Sequence, residues 1–585
     1  MSDNNAISTR TQPTDLVNFK ILTNGNALNG EYGVVSIETA KAFNKIASAK
    51  IVISDGDPAK QDFKISSTDD SLTPGSEIEI QMGYHTQAKT IFKGVIVNHS
   101  IKSSKNKKSF LTIEAKDKAF LLSVGRNNQC FTEKSDADII QAVAQKAGIK
   151  DVDIASTKVS FKEMVQYNSS NWDFILSRAE MNGMLVLTDD NKLVVQKPDT
   201  SGEAQKEIAY GMDVIEFESE INGRSQLHEV KSYAWNYKDQ KVVESNEASI
   251  QFKETGNVKA NDIADALKIK EYKLVHAGSI GDEELKEWSN AQLLKSRMAK
   301  VTGRIKLKGL NDLKPGQLVK LTGFSKRFNG NVLITSIRHS YDKSIWETEM
   351  HFGLSDEWFY KMPDVIERPA SGMIPGVNGL QIGVVQQLEN DPDNQDKIKI
   401  KLPMVDGQES IWARVATLDA GKERGSFFRP EIGDEVLVGF VNDDPRYPIV
   451  LGMLNSAAKP APLKAADKND EKGFITRSKM KFIFNDDKKS IHIETPAGNM
   501  IDINDDKKEI VIADQNRNKI TMSSSGIEIE SGKDISLKAS SGNIQIQGIN
   551  VESKAQAKFS GQGSASAELQ SSGVTVVKGS IVNIN

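Results

Sequence analysis

Cysteine is almost missing from this 585-residue chain: Cys130 stands alone, which rules out an intrachain disulfide and leaves stability to packing and association. No apolar run approaches the ~18 residues of a membrane-spanning helix. Residues 1–10 are polar and hold no apolar signal core, so synthesis in the cytoplasm without a signal peptide is expected. Neither sign of charge dominates; a net charge of −4 argues against bulk attraction to nucleic acid or acidic membrane, and no nucleic-acid partner is expected. The basic run at residues 102–108 lies between two strand-like stretches and reads as a solvated hairpin loop. Large aromatics give out toward the end: no Trp or Tyr follows Tyr447, and Phe559 is the sole aromatic in the last 100 residues. A distal sugar- or receptor-binding platform would need them. A phosphate-binding loop, a dinucleotide glycine fingerprint, HExxH, paired CxxC and GxSxG are all missing, and none of the seven histidines lies in the last 90 residues. No catalytic residue, cofactor or metal site is therefore expected.

What is present is repetition. Phe482-Ile483-Phe484, Asn485-Asp486-Asp487-Lys488-Lys489 and Ile491-His492-Ile493 return 19 residues later as Ile501-Asp502-Ile503, Asn504-Asp505-Asp506-Lys507-Lys508 and Ile510-Val511-Ile512. A weaker third copy runs through Ile520, Met522, Ile527 and Ile529. A fixed period marks a fibrous or solenoid fold. Each short strand alternates apolar and polar residues, giving it one face to bury, yet a single chain has little to bury it against. Three identical chains about one axis solve that problem. The expectation is a homotrimeric prism over residues 473–585, with Ile491, Ile493, Ile501, Ile503, Ile510, Ile512, Ile520 and Met522 in the trimer core. The alternative is an antiparallel meander with Asp-Asp-Lys-Lys turns inside a sandwich; from Ser523 onward, however, the chain is mostly Ser, Gly, Ala, Lys and Gln, too lean for a sandwich core. At ~4.8 Å per strand and ~9 residues each, the prism would be on the order of 60 Å long.

Upstream the chain separates into further stretches. Strands and turns fill residues 1–130, read as a first β-barrel. Residues 131–300 hold the clearest helices: Ser135 caps one with Ile139, Ile140, Val143, Ala144 and Ala147 on one face, stopped by Gly148. Ser170 caps another with Trp172, Ile175, Leu176 and Ala179, stopped by Gly183, and a third runs over about 283–299 with Leu285, Trp288, Ala291, Leu294 and Met298 inward. Residues 301–365 form a second barrel that echoes the first: Leu72-Thr73-Pro74-Gly75 resembles Leu313-Lys314-Pro315-Gly316, and Val97-Asn98-His99-Ser100 resembles Ile337-Arg338-His339-Ser340. Five short strand-like runs in 366–456 suggest a small closed barrel of the OB type, and residues 457–472 are a linker. The fold class expected is mainly β: a tandem β-barrel hub with a helical, α+β insert, an OB-fold, and a C-terminal intertwined trimeric β-helix or prism.

Trp412-Ala413-Arg414-Val415, the 430–440 run and Asp443-Asp444-Pro445-Arg446-Tyr447-Pro448-Ile449-Val450-Leu451-Gly452 resemble the OB-fold of VgrG and phage baseplate spikes. Asn168 to Leu176, with Ala179-Glu180 and Gly183-Met184-Leu185-Val186, is similar to the hub of VgrG and of phage late control protein D. Residues 484–499 resemble the opening of the VgrG prism. The resemblance implies a structural spike of a contractile injection system, whether type VI secretion, an extracellular phage-tail-like particle or a phage tail. It implies a homotrimer whose two barrels per subunit meet a sixfold inner tube protein, with baseplate proteins around it. It further implies a PAAR-type tip protein on Ile581, Val582, Asn583, Ile584 and Asn585, a possible effector cargo, and transient contact with a target membrane that it punctures. Such a spike is assembled into its particle and delivered or released extracellularly. No lysozyme insert occupies the linker, and no toxin-like extension is expected after residue 585. The competing enzyme reading is a trimeric β-helix tailspike acting on polysaccharide or peptidoglycan; the only clustered acids on the repeat, Asp486, Asp487, Asp505 and Asp506, alternate with Lys at turn positions, where solvation accounts for them.

Overall fold

The structure, a computed structural model, describes residues 16–105, 108–212, 214–362, 365, 367–406 and 410–584. Backbone contacts divide the chain into two units, residues 1–379 with 440–447, and residues 380–439 with 448–585.

In the first unit, strands Val34–Ala42, Lys45–Ser54, Glu77–Tyr84, Lys89–Lys102 and Phe110–Lys116 each turn alternate side chains inward, and Ile37, Ile51, Ile53, Ile80, Phe92, Leu111 and Ile113 fill the core between them. A second half repeats the plan with Val301–Lys308, Leu318–Thr322, Gly330–Asp342 and Ile345–Phe352 around Ile305, Val319, Leu321, Ile334 and Met350. The halves are continuous. Gly330–Asp342 pairs antiparallel with Val34–Ala42, so both belong to one 13-stranded sheet and neither long strand is left as an open edge. The second half also takes Lys206–Ala209 and Val214–Ile221 from inside the 131–300 stretch; residues 301–365 do not complete it alone.

The internal echo is a repeated piece of structure. Gly75 and Gly316 both take positive φ, +101° and +91°, which a Cβ would oppose. The Gly75 N–H donates to the Ile96 carbonyl and the Gly316 N–H to the Ile334 carbonyl, each at 2.9 Å, while Leu72 and Leu313 are buried just before the turns.

Between the halves, helix Asp136–Lys146 starts at a capping box in which Ser135 Oγ accepts from the Asp138 amide and the Asp138 carboxylate accepts from the Ser135 amide. Helix Asn171–Met181 is capped by Ser170, and the apolar faces of the two share a core with Leu193 and Val195. The tip of the Leu185–Asp189 and Lys192–Gln196 hairpin reaches back to both halves of the sheet. Lys41 bonds Asp189 and Asp190 at 2.6 and 2.8 Å, Lys314 bonds Asp189 at 2.9 Å, and the Lys93 amide donates to Asp190. Burial alone would raise the Asp189 pKa; Lys41 and Lys314 outweigh it and hold the carboxyl below its ordinary value.

In the second unit, Gln381–Gln387, Ile398–Lys401, Ile411–Val415, Pro448–Met453 and Glu435–Phe440 close a five-stranded barrel around Val385, Ile398, Ile400, Ala413, Val436, Val438 and Val450. Beyond it, Glu471–Ile475, Lys481–Asn485, Ser490–Glu494, Met500–Asn504, Glu509–Ala513, Lys519–Ser523 and Gly526–Glu530 form a seven-stranded antiparallel meander in chain order. Its Asp-Asp-Lys-Lys turns are alike: Asn485 Oδ1 accepts from the Lys488 amide and Asn504 Oδ1 from the Lys507 amide. No second sheet covers it among the described residues, so it is a single layer and not half of a sandwich. Residues 531–584 form no strand, residues 532–584 are exposed throughout, and no backbone hydrogen bond between described residues falls within this stretch.

Candidate functional site

In an antiparallel ladder, residues directly opposite one another project from the same face, their Cβ atoms ~4.5–5.5 Å apart. The meander's register therefore fixes two rows. One runs Phe484, Ile491, Ile503, Ile510, Met522, Ile527; the other runs Phe474, Phe482, Ile493, Ile501, Ile512, Ile520, Ile529. All eight residues expected in the trimer core lie on this one face, because strands of five residues joined by turns that alternate between four and five residues return each 19-residue repeat in the same register. Among the described residues no other sheet covers it. Ile493, Ile501, Ile503, Ile512 and Met522 are 37–41% exposed, Ile527 is 72% exposed, and Ile491, Ile510 and Ile520 are half-buried.

The opposite face is chemically different. Its central row is Ile483, His492, Asp502, Val511, Thr521 and Glu528, flanked by polar partners that satisfy one another. Lys481 bonds Glu494 at 2.6 Å and His492 Nδ1 lies 3.2 Å from Asp502. The hydrogen bond from Lys481 holds the Glu494 carboxyl below its ordinary range. Apart from the half-buried Ile483 and the buried Val511, this face carries polar side chains that one another or water satisfies. A contiguous apolar face this long on one side and a self-paired polar face on the other is the signature of a surface built to be covered by protein.

Phe474 was not among the expected core residues, since the short strand that carries it precedes the repeat. Its only signal is the alternation Gly473-Phe474-Ile475, which pairs it with Phe482. Ile581, Val582, Asn583 and Ile584 are exposed and form no strand, so the alternation read there produces no strand within the single chain; Asn585 lies outside the described residues. Among the described residues no group of three or more His, Cys, Asp or Glu converges as a metal site, and no helix is long and apolar enough to cross a membrane.

Three family models match the chain in series: the Alg8 N-terminal domain over residues 13–343, the type VI secretion system/phage-baseplate injector OB domain over 381–454, and the phage baseplate V C-terminal trimerisation domain over 490–585. The type VI secretion system spike protein VgrG1b of Pseudomonas aeruginosa is 23% identical over 434 residues, 69% of this chain and 57% of its own length. VgrG1a of the same organism is 22% identical over 384 residues, 60% of this chain and 58% of its own. The chain thus spans somewhat under three fifths of these relatives. A tail protein from Neisseria meningitidis MC58 aligns with a TM-score of 0.44 at 14% identity, covering 60% of this chain and 99% of that one.

Proposed function

Because this chain belongs to the family of VgrG and phage-baseplate hub-spike proteins, and over residues 13–343 to the Alg8 N-terminal domain family, we propose that it is a structural hub and spike of a contractile injection system, acting as a homotrimer without catalytic chemistry. The observation that carries this reading is the pair of apolar rows left uncovered on one face of the meander. Three such faces turned toward one axis bury each other. Each fully buried Ile is worth about 1.5–3 kcal/mol relative to exposure, and the rows repeat in every chain. The unpaired backbone of residues 531–584 has the same remedy, since its N–H and C=O groups can be satisfied along the strands of neighbouring copies.

The mechanism is then mechanical. A prism whose backbone groups are all hydrogen-bonded resists compression, so force from a contracting sheath passes through it to a target membrane. The two matched halves of the hub, with their paired Pro-Gly turns, give a trimer six similar surfaces; these would seat a sixfold inner tube, with baseplate proteins around them. Residues Ile581, Val582, Asn583, Ile584 and Asn585 would form the base for a tip protein of the PAAR type. Effector cargo would travel with the particle, and the chain would leave the cytoplasm only as part of it.

Sedimentation of the intact chain tests the reading directly: a trimer is expected, and Ile503→Asp, which brings three carboxylates together on the axis, should convert it to monomer because buried unpaired charge is costly. A monomeric wild type, or an Ile503→Asp trimer as stable as wild type, would overturn it.

A further inference from the structure

The apolar row does not stop at the meander. Phe428, on the hairpin that spans residues 417–429 of the OB barrel, stacks on Phe474 with ring centroids 5.1 Å apart and planes at 15°. Arg477 in the first turn of the meander bonds Glu431 at 2.8 Å and fixes the same junction from a second point. The row that begins Phe474, Phe482, Ile493 is thereby extended by one aromatic ring into the barrel.

The hairpin carries more apolar surface than this contact uses. Leu418 is 90% exposed and Phe427 76% exposed. The exposure is not that of a loose loop. Ala420–Gly421 pairs with Arg424–Gly425, the Arg424 guanidinium bonds both Asp419 oxygens at 2.8 and 3.1 Å, and the Ser426 amide donates to the Asp419 carbonyl. Beneath it lies a cavity of about 530 Å³ lined by Asp396, Arg414, Thr417, Asp419, Phe427 and Arg429. Arg429 pairs with Asp396 through Nη2 and lies 5.2 Å from the Phe427 ring, while its Nη1 is buried without an acceptor among the described residues. Rigid exposed apolar side chains, an unfilled cavity and a buried donor in want of an acceptor describe a half-site that a polypeptide would complete: side chains for the surface, a carbonyl or carboxylate for Nη1.

We propose that the 417–429 hairpin is a collar that clasps a second copy of this chain, the copy supplying apolar contact to Leu418 and Phe427 and an acceptor to Arg429. The occupant follows from continuity: Phe428 joins the hairpin to the very row that the trimer covers, so the chain lying on that row is the one within reach. The proposal rests on the trimeric reading above and adds to it a contact outside the meander.

The test uses the full chain with Leu418→p-benzoylphenylalanine, assembled from a mixture of unlabelled and nitrogen-15-labelled copies and irradiated after its mass has been measured. The expected result is a trimer whose cross-links join residue 418 to a peptide of the other isotope, together with at least a tenfold weaker trimer in the Leu418→Ser, Phe427→Ser double variant. A trimer with cross-links confined to one chain, or none, overturns the collar and leaves the trimer standing. Cross-links to an added or co-purifying different protein overturn it as well. A monomeric protein before irradiation overturns both readings together.

Discussion

His339 is buried in the hub, with its Nδ1 3.0 Å from Thr348 Oγ1. Burial, and secondarily the positive charge of Lys41, lower its pKa to about 3. A histidine held neutral in the fold gives stability that is complete above its ordinary value near 6.5 and is lost as pH falls from there toward 3. Thermal scans between pH 7 and pH 3.5 should therefore show a steeper loss for wild type than for His339→Phe; equal slopes would place the titration elsewhere. Its counterpart in the echo, His99, sits differently, bridging Ser66 and the Leu72 carbonyl from a half-buried position. Lys41 has a role of its own. Lys41→Met leaves Asp189 and Asp190 side by side with Lys314 as their one ion-pair partner among the described residues, and should lower stability by about 3 kcal/mol, read as a shift of the hub's unfolding transition in urea. The echo picked out His339 as the match of His99 but not its burial, and nothing picked out Lys41, because burial and the 148-residue separation of Lys41 from Asp189 are products of the fold.

At the scale of elements, the repeat owes its register to its turns. Asn504 is buried and its side chain accepts from the Lys507 amide, as Asn485 does for Lys488. Asn504→Ala should cost about 1 kcal/mol per chain and raise amide exchange first in 500–513, the two strands the turn joins. The opposing faces make a sharper contrast. Thr521→Asp lies on the polar face and should leave the trimer intact, whereas Ile503→Asp on the apolar face should not. The strands themselves were readable, since alternation and Asn-Asp turns are local signals. The antiparallel meander was weighed only as part of a sandwich, and that it is a single layer was not readable: the same alternation serves a sandwich, a solenoid or a prism, and what lies across from it is not written in any one repeat.

For the whole molecule, the proposed assembly makes residues 531–584 the part most dependent on neighbours. In the wild-type trimer their amides should exchange slowly, and in monomeric Ile503→Asp they should exchange at the rate of open chain, while 471–530 keeps some protection from its own ladder; hydrogen exchange followed by mass spectrometry checks this. A chain ending after Pro460 should keep its hub and lose its trimer; a fully stable trimer from that fragment would remove the prism as the main clamp. The order of the parts, the caps of the first two helices, the 19-residue period and the identity of the apolar residues can be read along the chain, because each is set by neighbours a few positions away. That the two hub halves share one sheet, that Lys206–Ala209 and Val214–Ile221 belong to the second of them, and that Phe428 lengthens the apolar row emerge from the folded chain. Those outcomes depend on which distant strand edges and side chains meet, and strand pairing is chosen by the competition of whole surfaces for burial, which no short stretch of chain encodes.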